Sequence, residues 1–276
     1  MSHTLTELQA ALLPMLDWYH AFCTENGLRY YLLGGTMLGA ARHQGFIPWD
    51  DDIDVGMPRP DYEKFLALTR GRQFGAFVTE GIDTEQPDYF YGYAKIYDTR
   101  TTLVENTRWQ IRRGLFIDLF PLDGVADDES EIDAVFRPIY RRYSLLLART
   151  CAIRENRKWY KNFAIHIARL IPECLLNSKK LLRSTDALCS GRDYDTSRYV
   201  GNLYGNWGRR EIMECTVMGT PTLCRFEGRE VYGVQNCDAY LTSLYGDWRK
   251  LPPKEKQVTH HDFVFLDLHH GYLEKP

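Results

Sequence analysis

The stretch whose reading decides the fold is residues 30–57, YYLLGGTMLGAARHQGFIPWDDDIDVGM. Tyr30 to Leu33 reads as a short strand running into Gly34-Gly35-Thr36 and then a short helix. A glycine turn between strand and helix lets the backbone approach an anion, and the helix N-terminus favours negative charge. After Pro48-Trp49 comes a run of acids ending in Asp52-Ile53-Asp54-Val55. Acid, apolar, acid, apolar is the pattern of a strand with two carboxylates on one face and two side chains in a core. Carboxylates that close repel one another, so a cation is the simplest reason to keep both. The stretch therefore reads as a site for a divalent metal and a nucleotide's phosphates, with Gly34, Gly35 and Thr36 against the phosphates.

Upstream, Thr4-Leu5-Thr6-Glu7 has the form of a capping box, and Leu5, Leu8, Leu12, Leu16 and Tyr19 follow at helical spacing up to Gly27, with Pro14 as an expected kink. Downstream, residues 59–70 read as a helix, and residues 77–79, 91–97 and 101–106 as strands. In 91–97, alternation puts Tyr91, Tyr93, Lys95 and Tyr97 on one side. Residues 114–124, GLFIDLFPLDG, form an apolar strand with Asp118 inside it. An acid there is costly unless paired. A salt-bridged structural acid is one reading. A third metal ligand is the other, favoured because Asp52 and Asp54 need one. An acid-rich loop (123–135), a basic helical stretch, a strand region near 222–234 and a helix near 237–245 follow.

The 276 residues are 44% hydrophobic and 13% aromatic, and the net charge of −3 argues against a nucleic-acid binder. The charge is unevenly spread. Between Arg137 and Arg183 twelve Lys/Arg face Glu155 and Glu173, a local balance of +10 that leaves −13 on the rest. Such a segment fits an anionic membrane surface or, equally, a solvated basic face. Seven scattered cysteines without a C-x-x-C pair read as reduced thiols, with a zinc site from Cys215, Cys224, Cys237 and a late histidine as the alternative. With no signal-peptide pattern and no membrane-length apolar run, the expected location is the cytoplasm, peripheral at the inner face of the cell membrane where the basic segment docks.

Two other readings of the acidic run fail on detail. An EF-hand loop would place its glycine one position before Gly56 and a Glu where Asp61 stands. A dehalogenase-type phosphatase motif matches Asp52 to Val55 but requires a hydrophobic strand where Trp49-Asp50-Asp51 stands. A glycine turn, an Asp-x-Asp and a third acid on a later strand instead resemble the nucleotidyltransferase fold. The flanks narrow this further. LGGTMLGAARHQGFIPWDDDIDVGMPRPDYEKF (33–65), AKIYDTRTT (94–102), FIDLFPLDG (116–124) and LYGDWRKLPPKEK (244–256) together resemble the LicD family, bacterial cholinephosphotransferases related to fukutin-type ribitol-phosphate transferases.

The resemblance implies an α/β (α+β) fold, a nucleotidyltransferase-like mixed sheet flanked by helices. Residues 1–125 would be the catalytic core, 126–195 a basic helical insertion, and 196–276 a region closing the active site. It implies transfer of phosphocholine, or a related phospho-alcohol, from CDP-choline or another CDP-alcohol to a hydroxyl of a cell-surface glycan such as lipopolysaccharide or teichoic acid, or its lipid-linked precursor, with release of CMP. Asp52, Asp54 and Asp118 would hold Mg²⁺ or Mn²⁺, and Asp118 would orient or deprotonate the acceptor. Arg42 and Lys95 are candidates to neutralise phosphate, His43 and His260-His261 to contact ligand, and Asp50 and Asp51 to shape the loop. A choline cage would come from Tyr89, Tyr91, Tyr93, Tyr97, Trp109, Trp207 and Trp248. A nucleotidyltransferase acting on a small acceptor and a non-catalytic glycan-binding domain are the competing functions.

Overall fold

Strand 116–126 is buried at every position and organises the sheet around Asp118. The computed structural model describes residues 4–84, 86, 88–155, 157–259 and 263–274. In chain order its elements are α1 (Leu5–Glu25), β1 (Tyr31–Leu32), α2 (Gly34–His43), β2 (Asp54–Pro58), α3 (Arg59–Thr69), β3 (Gln73–Phe74), β4 (Phe77–Glu80) and β5 (Ala94–Asp98). Then come β6 (Thr102–Glu105), β7 (Arg112–Arg113), β8 (Phe116–Ala126), α4 (Glu129–Thr150), α5 (Trp159–Leu170), α6 (Ser178–Cys189), β9 (Tyr199–Gly201) and β10 (Ile212–Glu214). The chain continues through α7 (Cys215–Met218), β11 (Thr222–Phe226), β12 (Arg229–Gly233), α8 (Cys237–Tyr245) and β13 (Phe263–Asp267).

The main sheet runs β1-β2-β8-β5-β4-β3, with β9 and then β10 added beside the far half of β8. Only β2 and β8 run parallel; the other pairs are antiparallel, so the sheet is mixed, as expected of an α/β fold flanked by helices. Register sets Asp54 beside Asp118 across β2–β8, and Lys95 beside Asp118 across β5–β8. Neighbouring residues in register point to the same face. Three charged side chains from distant segments are thus placed together.

The first helix starts with the expected capping box between Thr4 and Glu7 and holds Pro14 in its interior. Its buried positions, Leu8, Leu12, Met15, Leu16, Tyr19 and Cys23, recur at helical spacing against the sheet. Gln9 on its other side donates to the Asp50 carbonyl at 2.7 Å and so holds the acidic loop.

Three local expectations shift. The β2 ladder starts at Asp54, so Asp52 lies just before the strand rather than in it. The alternation survives, because Ile53 and Val55 are fully buried while Asp52 and Asp54 are partly open. Gly34 and Gly35 open α2 instead of forming a separate turn. Tyr91 and Tyr93 precede β5, because the pairing of β5 with β8 begins at Ala94. Among the described residues the seven cysteines are free, and Cys215, Cys224 and Cys237 do not gather into a ligand cluster. His260 and His261 lie outside the described residues.

Candidate active site

One cavity of about 1140 Å³ is lined by Asp50, Asp52, Asp54 and Asp118. Its floor is the junction of α2, β2 and β8. The Thr36 hydroxyl accepts the Asp54 backbone N–H at 2.8 Å, the Leu33 N–H donates to the Asp54 carbonyl, and the Asp118 N–H donates to the Ile53 carbonyl. These bonds fix the backbone of both acids whatever their side chains bind.

The glycines make room for carboxylates. A Cβ on Gly35 would stand 2.6 Å from Asp50 Oδ2, and one on Gly34 would stand 3.2 Å from Asp54 Oδ2. Gly34 has φ +49°, a conformation that favours glycine, and its N–H donates to the Tyr240 hydroxyl. Of the three residues read as phosphate contacts, only Gly35 lines the cavity. Gly34 spends its N–H on α8, and Thr36 spends its hydroxyl on β2.

The acids crowd one another. Burial pushes the Asp54 carboxyl well above the ordinary carboxylate range, and the charges of Asp52, Asp118, Asp50 and Glu211 push it further the same way. Lys95 Nζ lies 2.9 Å from Asp118 Oδ1, off the direction of a hydrogen bond, and 3.7 Å from Glu105. That ammonium is only 2% exposed and sits over the Phe116 and Tyr91 rings, so it serves Asp118 and does not reach into the cavity. Among the described residues, the three acids whose oxygens lie within 4.8 Å of one another are Asp50, Asp51 and Asp52. That close group holds Asp52 but neither Asp54 nor Asp118, so Asp52, Asp54 and Asp118 share the cavity lining without closing to that distance. A wall of carboxylates, with an orphaned oxygen on Asp118, is the donor chemistry of a hard divalent cation.

Arg42 does line the cavity, and its guanidinium donates to the Trp248 carbonyl at 3.0 Å, pinning the segment after α8. His43 accepts from Arg42 Nε at 3.0 Å and is not in the lining. That segment supplies Asp247, Lys250 and Lys256 to the lining, two cations that sequence reasoning missed although they sit in the 244–256 motif. The aromatic expectation divides. Tyr91, Tyr93, Trp207 and Trp248 line the cavity. Tyr89 and Tyr97 are core residues, and Trp109 stacks on Phe90 away from the acids. Trp49, Tyr143, Tyr204 and Tyr245 also line it. No spacing in the sequence could have tied the last three to residues 52–54.

The comparisons with known proteins converge on this site. Residues 27–141 match the family described as LicD/FKTN/FKRP, nucleotidyltransferase domain. Over 261 residues, 94% of the chain and 96% of the relative, the sequence is 30% identical to a Haemophilus influenzae protein named lipopolysaccharide cholinephosphotransferase LicD. The chain belongs to the LicD family. It is a phosphotransferase. Human ribitol 5-phosphate transferase FKRP is 48% identical over 54 residues, 20% of this chain and 11% of that one. An uncharacterized Rickettsia typhi protein is 50% identical over 58 residues, 21% of this chain and 19% of that one. The region matched by the family, 27–141, carries Asp50, Asp51, Asp52, Asp54, Asp118, Arg42 and Lys95, whereas Tyr143, Tyr204, Trp207, Tyr245, Asp247, Trp248 and Glu255 lie beyond it.

Proposed function

We propose that this LicD-family chain transfers phosphocholine, or a related phospho-alcohol, from a CDP-activated donor to a hydroxyl of a bacterial surface glycan such as lipopolysaccharide, or of its lipid-linked precursor. The observation that carries this reading is the shared cavity. Clustered carboxylates and many aromatic rings line one space of about 1140 Å³. A trimethylammonium group has no hydrogen-bond donor and is held by aromatic faces, which Tyr91, Tyr93, Trp207, Tyr245 and Trp248 offer. The name of the Haemophilus influenzae relative supports choline as the cargo.

The acceptor oxygen forms a bond to the phosphorus that bears the alcohol, and the bond from that phosphorus to the CMP oxygen breaks in line. Asp118, fixed by its backbone bond to Ile53 and paired with Lys95, receives the acceptor's proton. Asp52 and Asp54 would hold Mg²⁺ or Mn²⁺, with Asp118 as third acid and Asp50 and Asp51 beside them. When bound, the cation neutralises charge on the phosphates and the leaving oxygen. Arg42, Lys250 and Lys256 supply further positive charge along the donor. Among the described residues no helix is long and apolar enough to cross a membrane, and the reaction belongs at the cytoplasmic face, where a CDP-activated donor and a lipid-linked acceptor meet.

The test is a donor panel. CDP-choline, CDP-ethanolamine, CDP-glycerol and CDP-ribitol are incubated with the protein and Mg²⁺ or Mn²⁺, with and without glycan acceptor. CMP release that rises with acceptor, greatest for CDP-choline, is the expected result. Release of pyrophosphate from a nucleoside triphosphate, with no CMP from any CDP-alcohol, would replace this reading with nucleotidyl transfer.

A further inference from the structure

Helix α5 is apolar on two sides. Ile165 and Ala168 are its buried positions. Trp159, Phe163, Ile167 and Leu170 recur at i, i+4, i+8 and i+11, which aligns them on one other face. They are 78%, 60%, 49% and 75% exposed. Tyr160 is exposed beside them, and Leu175 continues the patch after the helix at 78%. A solvated helix normally turns charged residues outward. This one turns out its largest apolar side chains.

The face is firmly held. Arg149 of α4 is 2% exposed, and its guanidinium donates to the Ala168 and Ile171 carbonyls at the end of α5, both at 2.8 Å. It also donates to Ser178 and Glu173, so one buried cation clamps α4, the end of α5 and the start of α6 together. Lys158 and Lys161 are exposed at the start of the helix, within the segment of charge +10 that also holds the exposed Lys180 and Arg183. One of that segment's two acids, Glu173, is already engaged by Arg149.

We propose that the outer face of α5 seats in an anionic lipid surface, with the helix lying in the plane of the headgroups. Charge selects this occupant. A second copy docked through the same face would bring two strongly basic segments together, whereas anionic headgroups neutralise them. Aromatic and aliphatic side chains flanked by lysines are the composition of an interfacial helix. The helix also lies against α4, whose Tyr143 and Leu147 line the catalytic cavity, so docking would bring that cavity near the membrane. This deepens the reading of a lipid-linked acceptor, yet it is measured without donor or acceptor, so either can fail alone.

The full chain is sedimented with vesicles of phosphatidylcholine, with and without phosphatidylglycerol. Binding to the anionic vesicles that weakens with added salt is expected. The double variant Phe163→Glu/Leu170→Glu, altered only on the exposed face, should bind at least about tenfold more weakly. Its circular dichroism and its CMP release from soluble donor should match the parent protein. Lys158→Gln/Lys161→Gln should reduce the salt sensitivity. Equal binding by parent protein and double variant, or no binding to anionic vesicles by the parent protein, overturns the proposal. A dimer that the double variant dissociates, without vesicle binding by the parent protein, assigns the face to a second copy and overturns it as well.

Discussion

Lys95 and Asp118 form an ion pair that water scarcely reaches, the ammonium being 2% exposed. Removing one partner of such a pair leaves the other charge stranded. Lys95→Met should therefore lower stability by about 3–5 kcal/mol in urea unfolding. The double variant Lys95→Met/Asp118→Asn should recover much of that loss, since neither member of the pair is then left charged without the other. Full stability of Lys95→Met alone would mean that Asp118 draws its compensation elsewhere. Asp118→Asn by itself should leave the circular dichroism unchanged and reduce transfer by about 10²- to 10⁴-fold, the usual share of a positioned base. Near-normal turnover would take the acceptor's proton away from Asp118. Gly35→Ala tests a different constraint. Its Cβ would stand 2.6 Å from Asp50 Oδ2, so the carboxylate must shift. Activity should fall at least tenfold while the melting temperature moves little, because the displaced group borders an open cavity and not the core. An unchanged rate would show that Asp50 has no part in the site.

The turn before β10 carries its own titrating group. Glu211 accepts the Trp207 N–H at 2.8 Å beneath a loop that lines the cavity, and burial raises its carboxyl to about 7. The folded-state value lies above the unfolded one, so between about pH 4.5 and 7 the folded protein holds a proton that the unfolded chain has released. Stability from this group is full below that window and is lost as pH rises through it, a few kcal/mol at most. Glu211→Gln should flatten that slope in paired urea titrations and be the more stable form above neutrality. Parallel slopes in the two proteins would place the titration elsewhere. Elements like this turn escaped the sequence. Alternation, capping and glycine chemistry are local signals, and they located α1, α2, α3, β8 and α8 to within a few residues. The same signals singled out Asp52, Asp54 and Asp118, which line one cavity, because an acid in an apolar run stands out. They offered Lys95 as a candidate to neutralise phosphate, whereas it pairs with Asp118, since a strand pattern says which face a side chain takes but not which charge it meets across the sheet. Tyr143 and Tyr204 were invisible because only the tertiary fold brings α4 and the segment after β9 to one cavity.

At the scale of the whole molecule, an acidic body of charge −13 carries its most crowded carboxylates at a site walled by segments from across the chain. The folded state keeps this arrangement at an electrostatic cost. Burial and the charges of Asp52, Asp118 and Asp50 raise the Asp54 carboxyl well above its unfolded value. For an acid shifted upward, the favourable contribution exists at low pH and is lost as pH rises past the unfolded value. Near neutrality, without a cation, Asp54 therefore opposes folding. Two consequences of opposite sign follow. A divalent cation that binds only the folded chain should raise stability with concentration, by about 2.7 kcal/mol at a hundredfold excess over its dissociation constant. Asp54→Asn should be more stable than the parent protein in a chelator, because the repulsion is gone, and should gain little from Mg²⁺ or Mn²⁺. Melting temperatures in EDTA and across a metal titration read both effects, at about 2–4 °C per kcal/mol for a domain of roughly this size. A structural acid at this position predicts the reverse pattern, a destabilised Asp54→Asn protein in EDTA and a parent protein indifferent to either metal. That outcome would remove the cation from the site and leave the four carboxylates without a reason to share it.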